Sequence, residues 1–506
     1  MAGGVRVSEF YELDRTQAQL SFVDVQIDRD ARLFIDPSAL RSWNDDWAAN
    51  CVGLIQNFFE TVIGEIRTGN EPRAVNLMAA LHEPNETRLG LSRGRPRGRA
   101  MGRRLARRLG RTLAESRAAR TGLLEHLEDA ALMVRNIRYD RISDIATNLI
   151  REPLIEFTRE TCEFYAIKTE EVDSGPRWNP RQRRWQSGVY VKLPRPRGRK
   201  LLLVPKVIVR QKPEINEDDY YRDYIIQYLE DRELSNPNSA LVHLLRDGTP
   251  RVYRKDLEHT YIKGQRKDAI VEISLERRSL LQNYHAAVAA NPLPFVSDHE
   301  VEEATGGTSP DCRDLLTELR GIPTGKKDAT RYQTAIFRLL ACLFSPSLRD
   351  GRVEQEIHNG LKRIDIWFKN WDGPRSFFGW LVMHQFKCAN VVAECKNYSV
   401  DPENAEVDQL GMRFSPARGQ VGFLVAPEFT DRGEVVERCR TVARDGHGYI
   451  VPLDYDDLEA LVNAKALGED ALADELINRF NEVIEVKRVL SRRRPKMRKP
   501  SSRRDN

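Results

Sequence analysis

Two stretches decide the fold of the C-terminal third: Glu354-Gln-Glu-Ile-His-Asn-Gly-Leu-Lys-Arg-Ile-Asp-Ile-Trp-Phe-Lys-Asn370 and Ala389-Asn-Val-Val-Ala-Glu-Cys-Lys-Asn-Tyr398. In a strand, successive side chains point to opposite faces. Asp365 lies between Ile364 and Ile366 and so faces away from both. Glu394 and Lys396 are two apart and share one face. If the two strands are neighbours, Asp365, Glu394 and Lys396 converge on one patch. The run Val391-Val-Ala393 predicts a buried strand, and buried charges need a reason. The bland alternative is an exposed edge strand carrying a same-face ion pair.

Two carboxylates on such a patch make an oxygen-ligand site for Mg²⁺ or Mn²⁺. An ammonium beside the metal lowers the pKa of an attacking water and steadies its charge. Phosphodiester cleavage uses these parts, a metal that offsets developing charge and a water in line.

An acid, a variable gap and then E-x-K on a strand resembles the PD-(D/E)XK, or restriction-endonuclease-like, nucleases over roughly residues 310–460. Gly360-Leu-Lys-Arg-Ile-Asp, with Arg363, is similar to the run before the first metal acid in restriction-type members. Tyr449-Ile-Val-Pro-Leu-Asp followed by Asp456-Asp-Leu looks like the late strand and helix start of Mrr-like members. The resemblance implies metal ligation by Asp365, Glu394 and the backbone carbonyl of Cys395. It implies that Lys396 polarises the water and that Glu356, with Glu354 as the alternate, assists as an upstream acid. It further implies support from Gln409 on the next helix and Arg363 as a nucleic-acid contact. The chain departs from the pattern with Ile364 where many members have proline. It also carries an aromatic insert, Asp372-Gly-Pro-Arg-Ser-Phe-Phe-Gly-Trp380, between the two strands. Glu485-Val-Lys487 is a second E-x-K, in a helical stretch with no strand acid before it, and reads as inert. Gly321-Ile-Pro-Thr-Gly-Lys-Lys327 is too short for a phosphate-binding P-loop.

The chain has 506 residues and a formal net charge of +5. Residues 88–120 hold 12 Arg and one Glu, and residues 487–506 hold ten Lys or Arg and one Asp. The two segments carry more positive charge than the whole chain, so the remainder is acidic. Concentrated positive charge is the footprint of a polyanion partner. Arg103, Arg104, Arg107 and Arg108 are the expected phosphate contacts, with a solvated helix face as the alternative. Mean hydropathy is −0.54 and no apolar run approaches a membrane span. Seven scattered cysteines without a C-x-x-C pair argue against a disulfide framework and for a reducing cytoplasm.

The expected class is mixed α/β: an αβββαβ core at residues 310–480 behind a larger mixed α+β region. That region divides into residues 1–150 and 151–305, and residues 487–506 form a basic disordered tail. Strands are expected at Leu20–Ile27, from Arg32 to an end at Pro37, and at Lys200–Arg210, divided at Pro205 or lying at a sheet edge. Helices are expected at Trp47–Arg67, His126–Ile137, Ile145–Tyr165 (divided at Pro153), Tyr220–Leu234, Leu241–Leu245 and Ile270–Ala290. Ser143 or Asp144 is placed as an N-cap. The functional expectation is a DNA-directed, metal-dependent endonuclease of a bacterial restriction or phage-defence type. A second copy of the chain and a defence-system protein stand as further candidate partners. The alternatives are an inactive nuclease fold that binds nucleic acid, an RNA-directed nuclease, and a partner-binding scaffold with a basic tail.

Overall fold

Asp45 opens the longest helix of the N-terminal region, its carboxylate accepting the Trp47 amide at 2.8 Å. The helix Asp46–Arg67 buries Leu54, Ile55, Phe58, Phe59, Val62 and Ile66 along one side. In this computed structural model the described residues are 4–43, 45–90, 103–308, 310–357, 362–371, 376–398 and 400–484. The tail 487–506, residues 91–102 and the second E-x-K motif lie outside them. The fold is mixed α/β. The chain divides into two units: Met1–Asp311 with Leu340–Gly351 and Trp371–Pro374, and Cys312–Leu339 with Arg352–Asn370 and Arg375–Asn506. Among the described residues, no helix is long and apolar enough to cross a membrane.

The first unit is mainly helical, with short strand pairs. β1 (Phe34–Ile35) pairs antiparallel with β6 (Val209–Arg210); β2 (Glu170–Asp173) with β5 (Tyr190–Leu193); β3 (Arg177–Asn179) with β4 (Arg184–Gln186); and β7 (Val242–Leu244) with β8 (Pro250–Val252). Several expectations are corrected here. Leu20–Ile27 and Lys200–Val204 are mostly buried but form no strand, making only isolated bridges such as Phe22 to Pro205. Leu241–Leu245 holds strand β7 and no helix. His126–Ile137 contains only the short helix Asp129–Met133. Ile270–Ala290 is two helices, Arg266–Glu276 and Ser279–Ala290. The expected Ile145–Tyr165 helix is two helices, Tyr139–Leu149 and Arg151–Phe164. The break falls at Ile150, and Pro153 sits in the first turn of the second helix, where its missing N–H costs nothing. Ser143 and Asp144 lie inside the first of these helices and cap nothing. Ser143 Oγ instead accepts the Ile35 amide at 3.0 Å.

The second unit carries a five-stranded sheet among the described residues. Its strands are β9 (Leu348–Ile357), β10 (Lys362–Asn370), β11 (Asn390–Cys395), β12 (Val421–Val425) and β13 (Tyr449–Leu453), in the order β13-β12-β11-β10-β9. β10 and β11 run antiparallel; β11, β12 and β13 run parallel. The parallel strands are connected by the helices Asn404–Gly411 and Arg432–Arg444, as crossovers require. These helices bury Val407, Leu410, Val435, Cys439 and Val442 against Val392, Leu424 and Ile450. Of the aromatic insert, Phe377–Trp380 lie in the helix Phe377–Met383, started by Ser376 Oγ accepting the Gly379 amide at 3.0 Å. Cys51, Cys162, Cys388, Cys395 and Cys439 are free thiols. Cys312 and Cys342 are oxidised, which the scattered spacing does not announce.

Candidate functional site

Trp367 pairs with Val392 across β10 and β11. Two residues further along each strand, Asp365 and Glu394 fall on the same face as that pair. β11 is an interior strand, flanked by β10 and β12, so the edge-strand reading of the E-x-K motif does not hold. Glu394 and Lys396 are 5 % and 8 % exposed. Their side chains meet, Lys396 Nζ lying 3.2 Å from Glu394 Oε1.

The main chain completes the arrangement. The Cys395 amide donates to Asp365 Oδ2 at 2.9 Å and so orients that carboxylate toward the E-x-K strand. Gln333, on the helix Ala329–Phe344, donates to the Asp365 carbonyl at 3.1 Å. The Lys396 amide donates to the Val425 carbonyl at 2.8 Å, which keeps β11 in register past its last paired residue. Asn397 bonds the carbonyls of Pro323 and Gly325, each at 3.1 Å, and its own carbonyl accepts the Gly325 amide at 2.9 Å. The Gly321–Lys327 loop is therefore fastened to the residue after Lys396.

Two further residues enter the site. The Arg413 guanidinium donates to Glu394 Oε2, and Arg413 is 7 % exposed. Glu406 Oε1 lies 3.6 Å from Lys396 Nζ and accepts from the Tyr398 hydroxyl at 3.1 Å. Phe414, next to Arg413 in the chain, packs over the glycine of β12: a Cβ on Gly422 would lie 3.0 Å from the Phe414 ring. The patch thus holds three carboxylates, Asp365, Glu394 and Glu406, and two cations, Lys396 and Arg413. Burial pushes the Asp365 carboxyl above its usual range, and Glu354 adds to this. The Cys395 amide, Arg413 and Lys396 pull it back. Burial, reinforced by Asp365, holds the Cys395 thiol well above its ordinary value and keeps it unreactive.

Asp365, Glu394 and Lys396 come together. Gln409 is exposed, and it is Glu406, one turn earlier on the same helix, that reaches Lys396. Cys395 contributes its amide to Asp365. Glu356 lies in β9 and Arg363 in β10, with side chains outside the described residues, as is that of Arg103. Glu354, in β9 at φ 54°, acts electrostatically on Asp365. Arg104, Arg107 and Arg108 are exposed on the helix Arg103–Glu115 of the first unit.

The donor set fits Mg²⁺ or Mn²⁺. Asp365 and Glu394 offer hard carboxylate oxygens, and Mg²⁺ is commonly held by one or two carboxylates with waters and substrate phosphate. Among the described residues, no group of three or more His, Cys, Asp or Glu is gathered into a cage. Both Glu394 oxygens already engage cations, so an ion there would share Glu394 with Lys396 and displace or reorient Arg413.

Residues 12–216, within the first unit, match a family described as a domain of unknown function (DUF8370). No curated protein and no solved structure matches the chain.

Proposed function

We propose that the chain is a metal-dependent deoxyribonuclease, with the phosphodiester-hydrolysing site in the second unit and DNA-gripping surfaces in the first. One observation carries this reading: Asp365, Glu394 and Lys396 share the buried face of two paired strands, with Asp365 oriented by the Cys395 amide. Mg²⁺ or Mn²⁺ bound there would offset the charge of the scissile phosphate and activate a water. Asp365 and Glu394 would hold the ion. Lys396 would orient the attacking water and stabilise its developing charge, while Glu406 holds the ammonium in place. Exposed arginines of the first unit would contact phosphates without reading sequence. A cytoplasmic role in restriction or phage defence suits a large chain that joins such a site to a gripping unit.

The ion pair between Arg413 and Glu394 favours a second reading, a nuclease fold that binds nucleic acid without cutting it. Supercoiled plasmid and a structured RNA, each incubated with Mg²⁺ or with EDTA, separate the readings. DNA nicking that needs Mg²⁺ and is lost in Lys396→Ala supports the deoxyribonuclease. Cleavage of RNA alone redirects the substrate, and binding without cleavage leaves the inactive fold.

A further inference from the structure

The hairpin β3–β4 is a small basic arm with a fixed root. Its register pairs Arg177 with Gln186, Trp178 with Trp185 and Asn179 with Arg184. Trp178 and Trp185 lie ring to ring at 5.7 Å, and both meet Phe58 edge-on, at 4.9 and 5.7 Å. Their indole N–H groups are tied down as well: Trp178 donates to Asn57 Oδ1 and Trp185 to the Leu77 carbonyl, each at 2.9 Å. A two-stranded ribbon is marginal alone, and this anchoring supplies the packing it lacks.

The tip contrasts with the root. Pro180, Arg181, Gln182, Arg183 and Arg184 are all exposed. The turn is ordered from within: Asn179 Oδ1 accepts the Gln182 amide at 2.9 Å, and Gln182 Oε1 accepts from Arg184 Nε at 2.8 Å. Arg183 has φ 48°, in the left-handed region where glycine or asparagine is the usual occupant. An arginine there holds a strained backbone for a side chain the turn itself does not use. At the root, Arg177 is neutralised by Glu152 at 2.7 Å. At the tip, Arg181, Arg183 and Arg184 form no ion pair with a described residue. Three like charges on five exposed residues repel one another unless an anion is present.

We propose that this hairpin is a DNA-binding arm whose tip arginines contact the backbone of duplex DNA as the ribbon enters the major groove. The B-form major groove, about 12 Å wide, admits a two-stranded β-ribbon, whereas the major groove of A-form RNA is too narrow for side chains to read. The inference rests on the DNA-directed reading above but not on cleavage, so the two fail separately.

The test is fluorescence anisotropy of a labelled 30-base-pair duplex titrated with the full chain in EDTA, from 50 to 200 mM salt. The variant carries Arg181→Ala, Arg183→Ala and Arg184→Ala. A second variant, Arg181→Glu with Arg184→Glu, leaves the turn residue in place should the first fold poorly. Loss of three phosphate contacts flattens the log–log salt slope by about 2.7 and weakens binding at least tenfold at low salt, with melting temperature unchanged. Affinity within twofold of the parent and an unchanged slope in the folded variants overturn the proposal. So does a parent that binds no duplex DNA, or equal competition by duplex RNA of the same length. Plasmid nicking in Mg²⁺ by the same preparations reports the nuclease separately.

Discussion

Arg413 and Glu394 form an ion pair inside the second unit, with both side chains more than nine-tenths buried. Glu394 is bracketed by cations, since Lys396 holds its other oxygen at 3.2 Å. Removing one partner of a buried pair leaves charge uncompensated, at about 3–5 kcal/mol. Arg413→Met should cost on the order of 2–3 kcal/mol, because Lys396 remains as a partner. A divalent ion would replace the missing positive charge. Thermal melting should therefore show a lower midpoint for Arg413→Met in EDTA and a larger rise on adding Mg²⁺ than in the parent. An equal Mg²⁺ response in both proteins would argue that no ion binds beside Glu394.

Asp365→Asn and Glu394→Gln each remove a charge from the proposed ion site while keeping side-chain size. Divalent-dependent nicking should fall about a hundredfold or more, with circular dichroism and unfolding cooperativity retained. Wild-type turnover in either variant would show that the site has been misassigned. Lys396→Ala should lose activity by about 10²–10³, the range for removing one group that stabilises developing charge.

How much of this was legible follows from the range of the signals. The two-residue period of a strand is local, so Asp365, Glu394 and Lys396 could be placed on one face without knowing any other contact. Arg413 could not. It lies beyond a helix and a turn, and its pairing with Glu394 joins residues 19 apart in the chain, a contact that no local period announces. The resemblance implies Gln409 as the contributor from the helix, but the turn that faces Lys396 is the one bearing Glu406. In the first unit, Leu201–Val204 has the apolar composition of a strand because it is buried, yet its backbone finds other partners: the Leu203 amide bonds Thr158 Oγ1 at 3.0 Å. The Tyr139 helix starts at Arg138, whose side chain makes no cap, so no start signal precedes Ser143.

Asp144 supplies a pH test in the first unit. Burial raises its carboxyl to about 7, with Arg141 opposing and Asp140 and Glu83 adding to the shift. In the unfolded chain the group titrates near 4. Between these values the folded state binds the extra proton, so the stability it contributes is complete below about pH 4 and is lost as pH rises through about 7. Asp144→Asn stays neutral throughout. The fall in melting temperature from pH 5 to pH 7.5 should be smaller in Asp144→Asn than in the parent. An identical fall would show that Asp144 ionises normally in the fold.

The helix Arg103–Glu115 offers the last test. It buries Ala106, Leu109, Leu113 and Ala114, and Gly110 allows close approach to the helix Glu71–Ala79, where a Cβ would lie 3.1 Å from Met78 and Val75. Arg104, Arg107, Arg108 and Arg111 are exposed, and their spacing places them along one side of the helix. A helix that served only the fold would have these arginines neutralised by acidic neighbours. That happens further along: Arg117 reaches Glu272 at 3.6 Å and Arg120 reaches Glu71 at 2.9 Å. The four exposed arginines form no ion pair with a described residue, so their charge is available to phosphates. Changing all four to alanine should leave melting temperature within a degree or two, since alanine favours helix and the buried face is untouched. Duplex binding should weaken about equally for unrelated sequences, and the log–log salt slope should flatten by about 3.6, near 0.9 per lost contact. Cleavage at saturating DNA should change little. A lowered melting temperature with an unchanged slope would mean that these arginines serve the fold and not the DNA.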